Sequence, residues 1–347
     1  EKEKLNLRQE SFYSEKEINL LLGTSVLSVD PLQKELQLDT GETVAYDKLL
    51  IASGGRPRKL EVDGHNLKGI HYLRNIDDVD AIKAQMITSK KMVIVGGGYI
   101  GLEVASVAIK KGLTVSVLEM ENRILERVTT EEMSAFYNEL HSDQGVNILT
   151  STQAKAFKGS EAVERVVCDD QEIPADLVIV GIGILPNTEI AESAGLETDN
   201  GIVVDEHCRT SNEHIFAAGD CTNHPNPLLN RRLRLESVPN AMEQGRVAAS
   251  NMLGGSKSYA SMPWFWSDQY EHKLQMVGFS KESDQSIVRG DMTSKSFTVF
   301  YLKDNLIVAA DSVNNPKEFM ASKQLIGKKA SIEVLADTSI ELKTLIS

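Results

Sequence analysis

Apolar and polar positions fall into three patterns along the 347-residue chain. The first, up to about residue 85, consists of short apolar runs broken by turn residues. Val26-Leu27-Ser28-Val29, Glu35-Leu36-Gln37-Leu38 and Tyr46-Asp47-Lys48-Leu49-Leu50-Ile51 each predict a strand, with turns at Asp30-Pro31 and Asp39-Thr40-Gly41. The last strand runs into Ala52-Ser53-Gly54-Gly55-Arg56-Pro57, a loop of small residues where backbone can approach a ligand closely. The second pattern begins near residue 90. Lys91-Met92-Val93-Ile94-Val95 predicts a buried strand, followed by a glycine cluster and an apolar helix to about Lys111. Gly112 ends that helix, and Leu113 to Glu119 predicts a second strand, completing a βαβ unit.

A further helix is expected from Thr129-Thr130-Glu131-Glu132, where Thr129 and Glu132 have the spacing of a capping box. Asp176 to Val180 predicts the strand that closes the unit at Gly181-Ile182-Gly183, so the whole stretch reads as an inserted domain. Ile215 to Asp220 predicts another strand, and a helix from about Asn240 to Met252 stops at Gly254-Gly255. In the third pattern, from residue 260, Phe297–Leu302 and Leu306–Ala310 predict antiparallel strands around a Lys303-Asp304-Asn305 turn. A helix over Pro316–Ile326 follows, giving a separate α+β portion.

Composition narrows the function classes. The apolar share of 41% and charged share of 25% are those of a globular chain. No run of 18 apolar residues appears, so no membrane span is expected. The first residues, Glu1-Lys2-Glu3-Lys4, have no apolar core of the kind a signal peptide carries, and a cytoplasmic protein is expected. A net charge of −13 argues against a nucleic-acid binder, whose affinity comes largely from neutralising phosphates. Cys168, Cys208 and Cys221 lie far apart in sequence with no Cys-x-x-Cys pair, so neither a vicinal redox disulfide nor a metal site is expected among them.

The glycine cluster Gly96-Gly97-Gly98-Tyr99-Ile100-Gly101 is a G-x-G-x-x-G in its full setting: strand before, helix after, and an acid, Glu119, at the end of the next strand. The first glycine permits the tight turn, the second lets backbone N–H groups reach a pyrophosphate, and the third allows close helix packing. Glu119 would accept hydrogen bonds from a ribose 2′-OH and repel a 2′-phosphate, favouring NADH over NADPH; Arg123 and Arg127 would soften that preference if they turned inward. Gly219-Asp220 at a strand end, before a helix N-terminus, is the second candidate, with Asp220 accepting from sugar-alcohol hydroxyls. Taken by itself, a Gly-Asp pair also fits an ordinary turn.

Several stretches, taken together, resemble the ferredoxin reductase family of bacterial oxygenase systems, within the FAD-dependent pyridine nucleotide-disulfide oxidoreductases. They are Tyr46 to Arg58, His71-Tyr72-Leu73-Arg74, Val95 to Glu103, Val180 to Gly183, Ala217 to Cys221, Leu235 to Val238, and Pro263-Trp264-Phe265-Trp266-Ser267-Asp268-Gln269-Tyr270. They occur in the family's order over almost the whole chain. The resemblance implies an α/β protein with two Rossmann-like nucleotide-binding domains, the FAD one incomplete at its N-terminus, and a C-terminal α+β domain. Residues 1–85 and 204–258 would form the FAD-binding domain, 86–203 the NAD-binding domain, and 259–347 the third. It places Val26, Ala52, Ser53, Gly54, Arg74, Gly219, Asp220, Glu236, Ser237, Val238 and Trp266 at FAD. Gly181, Ile182 and Gly183 would join the glycine loop at NAD, and Glu103 would lie near the nicotinamide. Family members open with their own strand–G-x-G-x-x-G–helix unit for the FAD pyrophosphate and a Pro-Leu-Ser-Lys segment, and this sequence begins after both. The expectation is that a longer protein supplies them.

Trp264 and Trp266 share one face of a strand, and either a flavin wall or core packing accounts for them. Arg231-Arg232-Leu233-Arg234 is a basic run on an acidic chain; it reads as a solvated loop or as the rim where an acidic [2Fe–2S] ferredoxin docks. The implied activity is hydride transfer from NADH to FAD, then single-electron delivery to that ferredoxin, with no metal and no dedicated acid–base group. An NADH oxidase, a rubredoxin or coenzyme A-disulfide reductase, and a non-enzymatic NAD(H)-binding signalling protein are the alternatives. The oligomeric state is left between monomer and homodimer.

Overall fold

The structure, a computed structural model, describes residues 5–346. Its organising element is a five-stranded, all-parallel sheet with spatial order Ile70–Tyr72, Leu177–Val180, Lys91–Val95, Thr114–Leu118 and Asn147–Leu149. Its central strands are apolar on both faces because both faces are covered. Met92, Ile94, Val115 and Val117 pack against Ala105 and Ala108 of the helix Tyr99–Lys110 and against Ile82 and Met86 of the helix Ile76–Met86. Val93, Val95, Leu118 and Val178 face the opposite way. They meet Phe157, Val166 and Ile173 of a small antiparallel sheet built from Ala156–Lys158, Arg165–Val167 and Glu172–Pro174. The periodicity of the chain did not predict this small sheet, whose strands are three residues each.

Before this unit, Val26–Asp30, Glu35–Leu38 and Thr43–Ala45 form an antiparallel meander. The strand expected over 46–51 is confined to Leu49–Ile51, the part that finds a parallel partner in Ile215–Ala217. Val29, Ile51, Ile202, Ile215 and Ala217 close a core there. The helix expected from about Asn240 begins earlier, at Val238, because the Ser237 side chain caps it by accepting from the Asn240 N–H.

Beyond residue 263 lies a five-stranded antiparallel sheet, ordered Trp264–Gln269, His272–Gly278, Leu306–Val313, Ser296–Lys303, Gln285–Asp291. Asp304 and Asn305 both take positive φ, 50° and 62°, so the predicted turn closes the hairpin with the twist that flanking strands favour. One face of this sheet carries the helix Pro316–Leu325 through Phe300, Ile307, Phe319 and Leu325. The other shares a core with the parallel-sheet unit. Leu274, Met276, Phe297 and Tyr301 interlock with Leu102, Met133, Phe136, Tyr137 and Leu140. Among the described residues no helix is long and apolar enough to cross a membrane.

One helix start differs from expectation. The helix Glu131–Asp143 is preceded by Thr130, not Thr129, in the N-cap position, and no side-chain cap forms. The Thr129 hydroxyl instead donates to the buried Asp311 carboxylate at 2.9 Å, and Glu132 accepts from Ser286 at 2.5 Å. Both groups of the expected capping box are drawn into the boundary with the C-terminal sheet.

Candidate functional site

The glycine loop is built from close backbone approaches. A Cβ at Gly96 (φ +113°) would lie 2.3 Å from the Gly181 carbonyl oxygen, and one at Gly101 would lie 2.2 Å from the Gly96 carbonyl oxygen. Those two glycines let strand, loop and helix touch. At Gly98 the situation reverses: nothing lies within 4 Å of where its Cβ would stand. Gly98 is also the N-cap of the helix Tyr99–Lys110, and no side chain caps it. Uncapped N–H groups, the positive end of a 12-residue helix and open space above a glycine fit the pyrophosphate of a dinucleotide. Gly183 (φ +110°) presents a second open glycine across the loop, and Ile182 packs into the sheet core. Ile100 is exposed at the loop, whereas Tyr99 turns inward and packs edge-on against Phe265 at 5.4 Å.

Glu119 is 5% exposed. Its carboxylate accepts from the Gly97 N–H at 2.8 Å and the Glu121 N–H at 3.0 Å, which fixes it against the loop. Each oxygen has a second lone pair for a hydroxyl donor. Arg123 points away. Its guanidinium donates to Thr129, Thr130 and Glu126 carbonyls and to the Ser134 hydroxyl at 2.5 Å, while Arg127 is exposed.

The second cradle gathers residues from three stretches. Gly219 (φ +87°) turns the chain out of the strand Ile215–Ala217, and Asp220 follows, paired with Arg74 at 3.3 Å. Gly54 (φ +62°) lies so close to that arginine that a Cβ would stand 3.1 Å from Nη2. The Gly219 N–H and the Thr222 hydroxyl both donate to the Gln244 side-chain oxygen, at 2.7 and 2.9 Å, so the helix Val238–Met252 holds the turn. The loop carrying Ser53 and Gly54 is clamped by Asn187. Its side chain donates to the Ser53 carbonyl at 2.9 Å, its N–H donates to the Gly54 carbonyl, and its own carbonyl accepts from Ser53 Oγ at 2.7 Å. Neither Gln244 nor Asn187 was singled out in the sequence, and no local motif marks them. A partly exposed carboxylate, an arginine, close glycine backbone and the start of the 15-residue helix at exposed Val238 fit the polar and phosphate groups of FAD. Glu236 is engaged by Arg234 at 2.6 Å, and Ser237 is the helix cap. Val26 is exposed on the first strand of the meander.

Trp266 is 37% exposed on the strand Trp264–Gln269, which packs against both the glycine-loop helix and the helix Val238–Met252. Trp264 is a core residue: it lies 5.6 Å from Phe319 and 5.9 Å from Trp266, with the Lys323 ammonium 4.4 Å over its ring. Glu103, four residues into the loop helix, is half-buried; burial raises its carboxyl pKa, opposed by hydrogen bonds from the Ser267 hydroxyl and the Asp268 N–H.

The basic run differs from the loop reading. Arg231–Leu233 is a strand paired with Thr222–Asn226. Arg232 donates inward to the Val204 and Asn223 carbonyls, Arg234 to Asn200 and Glu236, and Arg231 pairs with Glu282 while covering the Phe279 ring. All three cysteines are buried and free; burial pushes the Cys208 thiol up to about 12 and raises that of Cys168 as well, so neither of those two is a poised thiolate. Among the described residues no cluster of His, Cys, Asp or Glu is placed to hold a metal.

An open-faced dinucleotide loop, a second cradle and an aromatic strand beside both define a flavin- and nicotinamide-dependent oxidoreductase. The chain belongs to the pyridine nucleotide-disulphide oxidoreductase family, matched over residues 2–245, and carries that group's reductase C-terminal domain over residues 264–346. Its cofactors are therefore FAD and NAD(H). It is 44% identical to putidaredoxin reductase CamA of Pseudomonas putida, over 99% of this chain and 84% of that protein. It is 40% identical to the anthranilate 1,2-dioxygenase system ferredoxin–NAD(+) reductase component of Burkholderia cepacia, over 98% of this chain and 85% of that protein. In the crystal structure of the covalent putidaredoxin reductase–putidaredoxin complex, a chain 44% identical superposes with a TM-score of 0.94, covering 98% of this chain and 84% of that one.

Proposed function

We propose that this chain is an NADH-dependent ferredoxin reductase serving an oxygenase system in the cytoplasm. In this reading residues 86–203 bind NADH, residues 1–85 with 204–258 bind FAD, and residues 259–347 cover the flavin. The observation that carries it is the exposed Trp266 on a strand that packs on both helices whose N-termini face the two cradles. When bound, the nicotinamide supplies hydride and the flavin releases electrons singly.

The protein residues orient and shield. Gly98 and the uncapped N–H groups after it hold the NADH pyrophosphate, with Gly96, Gly97, Tyr99, Ile100 and Gly101 shaping that loop. Gly181, Ile182 and Gly183 line its far side, and Glu119 takes the ribose hydroxyls. Glu119, buried and held on the loop, and the engagement of Arg123 by Thr129, Thr130, Glu126 and Ser134 support NADH over a 2′-phosphorylated dinucleotide. Arg74, Gly219, Asp220, Glu236, Ser237 and Val238 hold FAD on one side, Val26, Ala52, Ser53 and Gly54 on the other, and Trp266 walls the ring system. Glu103 borders the nicotinamide. Electrons leave to a docked [2Fe–2S] ferredoxin, a reading supported by the likeness to the reductase in the putidaredoxin complex, and Cys168, Cys208 and Cys221 are all buried and unpaired. The docking rim is the Arg231, Arg232, Arg234 hairpin. Arg231 has the guanidinium a partner can reach, and the other two fix the hairpin's shape.

The test is a panel of acceptors with NADH as donor. Reduction of a [2Fe–2S] ferredoxin is expected to exceed reduction of rubredoxin, oxygen or coenzyme A disulfide by at least tenfold in kcat/KM. A disulfide or oxygen preferred over every ferredoxin tried would overturn the assignment.

A further inference from the structure

One buried polar chain runs between the parallel-sheet unit and the C-terminal sheet and ends on Glu103. The Tyr270 hydroxyl meets His141 Nδ1 at 2.9 Å, and His141 Nε2 meets Gln269 Oε1 at 2.8 Å. Gln269 Nε2 donates to Ser267 Oγ at 3.1 Å, and Ser267 Oγ donates to Glu103 Oε1 at 2.6 Å. His141, Ser267 and Gln269 are each 0% exposed. The amide sets the direction. Gln269 Oε1 only accepts, so His141 carries its proton on Nε2, its Nδ1 accepts, and Tyr270 donates. Every donor points toward Glu103, and such a one-way chain is mutually polarising in a dry interior. Burial lowers the His141 pKa, in keeping with the neutral ring that this pattern requires.

The strand Trp264–Gln269 alternates its side chains. Phe265, Ser267 and Gln269 face the loop helix and the helix Glu131–Asp143, while Trp264 and Trp266 face the other way. The strand is bolted to the loop helix at two points four residues apart on one helical face: Phe265 on Tyr99, and Ser267 on Glu103. Tyr99 is the first residue after the glycine cluster's N-cap, so these bolts fix Trp266 relative to the nucleotide loop.

We propose that His141 and Gln269 are positioning residues for hydride transfer: the chain Tyr270–His141–Gln269–Ser267–Glu103 sets the spacing between the dinucleotide loop and the Trp266 wall. This rests on the reading that the loop holds NADH and Trp266 borders the flavin. Small misplacements of reacting groups cost rate more than affinity, and two cuts in one chain act as one.

The experiment uses His141→Leu, Gln269→Leu, their double variant and the conservative His141→Gln in the flavin-loaded protein. Stopped-flow flavin reduction at saturating NADH is expected to slow about tenfold in either leucine variant, with NADH Kd changed less than twofold. The double variant is expected to be no slower than the slower single one, and His141→Gln, which keeps a donor and an acceptor, to recover most of the rate. A readout independent of turnover is the His141 ring nitrogen spectrum: the wild type should stay neutral with the proton on Nε2 across about pH 6 to 8. Unchanged rates, multiplicative slowing in the double variant, or a ring that titrates within that range would each overturn the proposal. If the wild type failed to pass electrons to any ferredoxin, the functional reading would fall, while the ring tautomer and the non-additivity would still judge the relay.

Discussion

Asp311 offers a stability prediction that can be worked from the structure. It is 4% exposed on the strand Leu306–Val313, and its Oδ2 accepts from the Thr129 hydroxyl and the Tyr301 hydroxyl, each at 2.9 Å. Burial outweighs those two bonds and pushes its pKa from 3.8 up to about 6. At about 1.4 kcal/mol per tenfold change, that difference makes the ionised carboxyl cost the fold on the order of 3 kcal/mol. The sign follows from proton counting. Between about pH 4 and pH 6 the folded state holds the proton more tightly than the unfolded state, so stability falls as pH rises through that window. The cost is absent below the window and complete above it. Asp311→Asn keeps one oxygen to accept from Thr129 and Tyr301 and removes the charge. The variant should therefore be more stable than the wild type by about 2–3 kcal/mol at pH 7.5 and indistinguishable from it near pH 4. Scanning calorimetry of both proteins at pH 7.5 and at about pH 4 measures the difference of differences. An asparagine variant that melts below the wild type at pH 7.5, or a gap that does not shrink on acidification, would refute the reasoning.

Four further outcomes follow from the cradles and the arginine hairpin. Gly98→Ala has room for its methyl and should leave the apo melting temperature within about 1 °C, yet weaken NADH at least tenfold in a binding titration. By contrast, Gly101→Ala drives a methyl into the Gly96 carbonyl and should destabilise the protein itself by about 1–3 kcal/mol in urea unfolding. Gln244→Leu removes the acceptor of the Gly219 N–H and the Thr222 hydroxyl and should loosen FAD about tenfold, read from the flavin fluorescence released on dilution. Arg231→Glu should raise the ferredoxin KM about tenfold and flatten its dependence on salt, with the NADH-to-flavin step unchanged in stopped flow.

The sequence made legible what is coded locally. The glycine loop reads straight from the chain because its strand, turn, helix and acid are contiguous, and each glycine meets a constraint that its own neighbours impose. The Asp304-Asn305 hairpin is local in the same way, whereas the pattern puts a helix at about Asn240 and misses the cap at Ser237 that starts it at Val238. What depended on distant partners did not show. Thr129 and Glu132 have capping-box spacing, yet Asp311 and Ser286, more than a hundred residues away, take their side chains. The arginine run reads as a loop or a rim because nothing local says that Arg232 will bridge Val204 and Asn223. Gln244, Asn187 and the relay through His141 are ordinary polar residues in sequence, and only the packing of separate elements gives them partners.

The central claim is that this chain passes electrons from NADH through a flavin to a ferredoxin. The most direct measurement is an anaerobic titration of the FAD-loaded protein with NADH, followed in the visible spectrum, then addition of one equivalent of an oxidised [2Fe–2S] ferredoxin. The account predicts that NADH bleaches the flavin bands, that NADPH does so at least tenfold less effectively, and that the ferredoxin bands bleach on addition. Flavin bands that persist in excess NADH, or a reduced protein that leaves the ferredoxin oxidised, would contradict it.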